Sequence, residues 1–154
     1  MHPSAKVECS NCIKQLGKGR ITIGRGCDIH ALSKNGFECS GNVDFGEYTY
    51  VTCSSGFVDL GKGLKIGNRT SLGTHGLYGC AGGIEIGSNV MIGNYVSMHS
   101  ENHVIERTDI PMNDQGVTHI GIKVGDDCWI GAKATLLDGA NVGKGCVIAA
   151  GCER

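Results

Sequence analysis

The sequence predicts an all-β solenoid, a chain that turns a corner every six residues around a thin aliphatic core. Three observations carry that expectation: aliphatic residues recur at a strict spacing of six, glycine is over-used, and aromatic residues are scarce. Of 154 residues, 26 are glycine and only two are proline, while aromatics make up 5%. Average glycine usage is roughly 7%. Collagen is excluded, because glycine does not recur at every third position and proline is rare. Simple disorder fits poorly with a hydrophobic content of 40% and a net charge of −1, which together can support a core.

The repeat is clearest towards the C-terminus. Val124, Ile130, Leu136, Val142 and Ile148 stand six apart, with Gly125, Gly131 and Gly143 directly after three of them. Ile86, Ile92 and Met98 keep the step, as do Leu60, Ile66 and Leu72, and nearer the N-terminus Ile23 and Ile29. Around Val43 to Thr49 the pattern blurs. A helix would scatter residues of this period around its circumference, and a flat strand would need a period of two. Two or three extended residues followed by a corner put them in register, and three such units close a triangular coil. Coils of about eighteen residues leave room for about eight in the chain, stacked at the strand spacing of about 4.8 Å. In this reading the aliphatic residue points inward and the glycine beside it eases the corner.

One stretch leaves the period. A polar loop excursion at about 99–123 contains the second proline, and long excursions from a rigid scaffold are where function concentrates. It carries His99, His103 and His119, and an imidazole that titrates near neutral pH suits general-base chemistry. Cys27, Cys128, Cys146 and Cys152 each fall four residues after a repeat aliphatic, in a slot held elsewhere by Thr70, Val90, Val96, Ala134 and Ala140. Cysteine serves there as a small hydrophobe. Cys9 and Cys12 have the spacing of half a zinc site, without a matching second pair. An odd count of nine cysteines and the lack of an apolar leader point to reduced thiols and a cytoplasmic location. No apolar run is long enough for a membrane span, and near-neutral charge offers nucleic acid no electrostatic attraction. The length suits a single domain over 1–154.

The repeats, together with Ser100-Glu101-Asn102-His103, Val124-Gly-Asp-Asp-Cys-Trp-Ile-Gly-Ala132 and Val147-Ile-Ala-Ala-Gly151, resemble the hexapeptide-repeat acyltransferases. The nearest branches are the maltose/galactoside O-acetyltransferases and, slightly favoured, the acetyltransferases of surface-polysaccharide sugars. The resemblance implies a single-stranded left-handed parallel β-helix, the reverse of the usual crossover hand. It also implies a homotrimer with active sites between neighbouring subunits, acetyl-CoA as donor, a sugar hydroxyl as acceptor, and no metal. Carried over residue by residue, it makes His103 the general base and Trp129 a wall of the acetyl-CoA cleft. Ala132 becomes the backbone N–H donor to the thioester oxygen, and Ala150 a main-chain contact to the pantetheine arm. Glu101 is a candidate to orient His103. The family commonly continues past Ala-Ala-Gly with Ser-Val-Val-Thr-Lys and a C-terminal cap; Cys152-Glu153-Arg154 departs from that pattern, so the cap is expected to be missing and a strand edge left open. Three alternatives stand beside this reading: N-acetylation of a nucleotide-linked amino sugar, a non-catalytic hexapeptide scaffold, and a γ-type carbonic anhydrase. The last needs three zinc-binding histidines, a pattern that the His99–His103 spacing does not match.

Overall fold

Side chains of an extended chain alternate between faces, so a three-residue strand buries either its middle residue or its two ends. This chain uses both patterns. The computed structural model describes residues 1–54 and 60–153, and shows three six-stranded parallel sheets forming the walls of a triangular, left-handed β-helix. The first sheet stacks Lys6–Glu8, Asp28–His30, Tyr50–Thr52, Leu77–Gly79, Ser97–His99 and Thr135–Leu137. The second stacks Ile13–Leu16, Phe37–Ser40, Leu64–Ile66, Ile84–Ile86, Ile122–Val124 and Asn141–Val142. The third stacks Ile21–Ile23, Val43–Phe45, Thr70–Leu72, Met91–Ile92, Trp129–Ile130 and Val147–Ile148. First-sheet strands bury their middle residues, such as Ile29, Val51, Tyr78, Met98 and Leu136. Most strands of the other two sheets bury their ends and turn the middle outward. No helix among the described residues is long and apolar enough to cross a membrane.

There are six strands to a sheet, not the eight coils that a uniform repeat would allow. The coils are longer than eighteen residues: Asp28 pairs with Tyr50, Tyr50 with Leu77, and Ser97 with Thr135, whereas Trp129 pairs with Val147 at the minimal step. The extra residues leave at corners, where an insertion costs the stacked strands nothing.

The glycine directly after a repeat aliphatic has a different job from easing the corner. Gly73, Gly93 and Gly131 do not have positive φ; the left-handed corner position falls two residues later, on His75, Tyr95 and Lys133. The glycines are required by close approach. A Cβ on Gly73, Gly93 or Gly131 would sit 2.5–2.6 Å from backbone atoms of the next coil. The small-residue slot behaves as expected inside the stack, where Cys27 and Cys128 are buried, but in the last coil Cys146 is exposed. Burial also pushes the Cys39 thiol up to about 12, so it stays protonated and packs as a hydrophobe.

Tyr78 is the largest fully buried side chain, and its hydroxyl meets no hydrogen-bond partner among the described residues. Burial pushes its phenol well above the ordinary range. An unsatisfied buried hydroxyl costs about 1–3 kcal/mol, so Tyr78→Phe should keep the ring and remove the cost. The expected outcome is a Tm raised by a few degrees in thermal unfolding; a lower Tm would show that the hydroxyl is satisfied.

The outward faces differ in kind. The second sheet presents the cross-strand column Lys14, Glu38, Lys65, Glu85, Lys123 and Asn141, whose charges alternate in sign, the pattern of a solvated wall. The third sheet presents Thr22, Asp44, Ser71, Met91, Trp129 and Val147 in register. Its upper half is apolar, with Met91 59%, Trp129 52% and Val147 64% exposed.

Candidate active site

The excursion starts after His99, which still belongs to a coil strand, and ends before Ile122, which has rejoined the second sheet. It therefore spans 100–121, inside the predicted 99–123, and springs from the corner between the first and second sheets. Asn102–His103 pairs antiparallel with Val117–Thr118, so the excursion opens with a short hairpin. Its base is tied to that corner at several levels. The Lys62 ammonium donates to the His119 carbonyl at 2.7 Å, and Gly82 N–H donates to Ser100 Oγ at 3.0 Å. Beyond the base, Gln115 accepts from Arg107 N–H and donates to the Arg107 carbonyl, while the Arg107 guanidinium pairs with Asp109. Arg107 thus closes the loop on itself.

Asp138 is the hub of the anchorage. Its carboxylate accepts from Gly121 N–H at 2.7 Å, Ile120 N–H at 3.1 Å and the Thr118 hydroxyl at 2.7 Å. Burial works against its charge, but the Gly121 and Ile120 amides, the Thr118 hydroxyl and nearby His119 together hold its pKa below the usual carboxylate range. A folded pKa below the unfolded value adds stability above about pH 4 that is lost as pH falls through the folded value. Hairpin protection against hydrogen exchange should therefore decline below about pH 4 in the native chain. Asp138→Asn should loosen the hairpin at neutral pH too, with faster amide exchange over 117–121 and an unchanged coil core. Unaltered exchange there would show that Asp138 is not the anchor.

The three excursion histidines separate on inspection. His99 is half-buried on the first sheet. His103 is exposed on the hairpin, with no side-chain partner among the described residues. His119 is held by Glu101, Nε2 lying 2.6 Å from Oε2. Glu101 thus engages His119, an arrangement that spacing alone did not suggest. Elsewhere, His30 lies between Glu8 and Asp28, and His75 stacks between Tyr48 and Tyr95 at centroid distances of 5.1 and 4.8 Å. Cys9 and Cys12 share one turn, with Cys12 N–H donating to the Cys9 carbonyl, but no group of three metal-ligating side chains forms among the described residues.

The backbone supplies the second half of the site. At three corners, the N–H of the residue after the glycine is capped by a short polar side chain of the next coil. Thr74 N–H donates to Asn94 Oδ1 at 3.0 Å, Asn68 N–H to Ser88 Oγ at 3.2 Å, and Ser88 N–H to Asp126 Oδ1 at 2.8 Å. In the column between the third and first sheets, Asn94 is followed by Ala132 and then Ala150. Neither alanine has an acceptor, so the Asn94 and Ala132 amides are without partners among the described residues. Beside them lies the apolar upper face with Trp129. Trp129, Ala132 and Ala150 thus gather along one edge of the stack, while His103 is tied to another, across the width of the first sheet. A groove beside the second sheet, lined by Lys62, Gly82, Glu85 and Ile120, contains none of these four residues.

Comparison with known proteins agrees with this architecture. Residues 121–153 match the family model described as bacterial transferase hexapeptide (six repeats). A Mycobacterium tuberculosis protein named as a probable acetyltransferase is 27% identical over 133 residues, covering 86% of this chain and 43% of that protein. A Saccharomyces cerevisiae protein, provisionally named an acetyltransferase, is 32% identical over 97 residues, covering 62% and 47%. The chain spans less than half the length of these curated relatives. Among solved structures, a mutant of AntD, an N-acyltransferase from Bacillus cereus, in complex with dTDP-4-amino-4,6-dideoxyglucose and coenzyme A, superposes with a TM-score of 0.57 at 11% identity. That match covers 98% of this chain and 66% of AntD, and it is a likeness of fold. By its repeat, its coils and its signature over 121–153, the chain is similar to the hexapeptide-repeat proteins of the bacterial transferase type.

Proposed function

We propose that the chain is an acetyl-CoA-dependent O-acetyltransferase acting on a hydroxyl of a sugar or sugar-containing acceptor, with its site shared between neighbouring copies in a homotrimer. The observation that carries this reading is the open Ala132 amide beside an exposed tryptophan, at a corner where a short polar side chain in place of Ala150 would have capped it. The names of the two relatives support the acetyl group, and coenzyme A held by AntD supports the donor class.

The chemistry follows from the residue types. An acceptor hydroxyl attacks the thioester carbonyl poorly until a base takes its proton, and exposed His103 is free to do so. As the C–O bond forms, charge builds on the carbonyl oxygen, and the rigidly held Ala132 N–H donates to it without reorganising. The C–S bond then breaks, and the departing thiolate takes the proton back from the imidazolium. Trp129 walls the donor, and the main chain at Ala150 lies further along the same column for the pantetheine arm. His103 and Ala132 stand at different corners of the triangle, so His103 of one copy serves the corner of the next.

N-acetylation of an amino sugar is the second reading, favoured by the amino-sugar nucleotide bound to AntD. A thiol-release assay with acetyl-CoA across neutral sugars, amino sugars and their nucleotide conjugates separates the two. Release that depends on a hydroxyl-only acceptor supports O-transfer, release only with amines supports N-transfer, and no release with any acceptor refutes both.

A further inference from the structure

The hairpin that carries His103 is only two residues long on each strand, Asn102 facing Thr118 and His103 facing Val117. Two backbone pairs in an exposed loop give little order on their own. Directly below them, the flanking residues Glu101 and His119 meet side chain to side chain at 2.6 Å. Both are partly shielded, with side-chain exposures of 26% and 36%. His119 is itself immobilised: Lys62 holds its carbonyl, and a Cβ on Gly82 would sit 3.2 Å from its Cα. The contact thus joins the outgoing strand to a return strand already fixed on the coil.

We propose that the Glu101–His119 pair is a positioning clamp for the catalytic loop. It closes the base of the hairpin and sets where His103 is presented to the neighbouring corner. This inference rests on His103 being the base. In it His119 transfers no proton to substrate; its Nε2 serves Glu101. A charge-assisted contact of this kind is stronger than a neutral hydrogen bond, and it lies two residues from the group it must orient.

The test uses the full chain with His119→Ala and His119→Gln, the glutamine keeping an N–H donor at similar reach. Amide hydrogen exchange over 102–118 and steady-state kinetics are measured for each, using the acceptor on which the wild type releases thiol fastest. His119→Ala should speed exchange of the hairpin amides about tenfold or more and lower kcat by a similar factor. KM for acetyl-CoA should stay within about twofold, because the donor lies at another corner. His119→Gln should restore both protection and most of kcat. Unchanged exchange in His119→Ala overturns the clamp. So does a glutamine variant that restores protection without restoring kcat, since His119 would then be acting chemically. If the wild type releases no thiol, the proposed function fails, while the exchange measurement still decides whether the clamp exists.

Discussion

Replacing His103 with alanine should lower the rate of acetyl transfer about 10²–10⁴-fold, the usual contribution of a positioned general base. The side chain is exposed and without a partner among the described residues, so its removal should leave the thermal transition unchanged. Acetyl-CoA affinity should also persist, since the proposed donor site lies at a different corner. The loss should therefore appear in kcat, in a thiol-release assay run beside calorimetric titration of acetyl-CoA. A variant that keeps most of the wild-type rate would remove His103 from the mechanism.

The second large effect comes from a residue whose side chain touches no reacting atom. Ala150→Asn would place a side-chain oxygen one coil above the Ala132 amide, as Asn94 stands one coil above Thr74 and accepts its N–H at 3.0 Å. The amide would then be capped from within the chain. Loss of one such donor lowers kcat by about 10²–10³-fold. At the same time the new hydrogen bond should stabilise the coil by about 0.5–1.5 kcal/mol. Ala150→Gly leaves the amide open and should retain activity. A change that raises Tm while abolishing turnover is hard to produce by accident, so the two assays together are diagnostic. An asparagine variant with normal turnover would show that the Ala132 amide has no role.

Much of this architecture is written in the six-residue period. Val124 through Ile148 announce the inward positions, and all five prove buried. The number of coils is not legible in the same way. Insertions at corners do not disturb strand pairing, so a six-residue count through Leu72 or Met98 cannot say where the coil resumes. The role of glycine is also invisible in one dimension. Gly93 looks like a corner residue until its close approach to the Ala132 backbone, 39 residues on, is known. The open amides have the same origin. Ala132 and Ala150 stand eighteen apart, one minimal coil, so their alignment could be inferred from sequence; Asn94 joins the column only because the excursion is looped out. The pairing of Glu101 with His119 was the least accessible feature, since they stand eighteen apart in a stretch without the repeat and only the hairpin brings them together. The resemblance to hexapeptide acyltransferases picked out His103 and Trp129, but not that the coils place them at different edges.

A site shared between copies makes a demand that a site within one chain does not. Chains carrying His103→Ala and chains carrying Ala150→Asn should each be inactive alone, one lacking the base and the other the open amide. If the chain trimerises as proposed, refolding the two together in equal amounts gives trimers in which some sites combine the intact hairpin of one variant with the intact corner of the other. Random assembly makes about one site in four of this kind. Thiol release from acetyl-CoA by the mixture should therefore recover to about one quarter of the wild-type rate. A mixture no more active than its two components measured apart would place base and amide within the same chain and contradict the shared site.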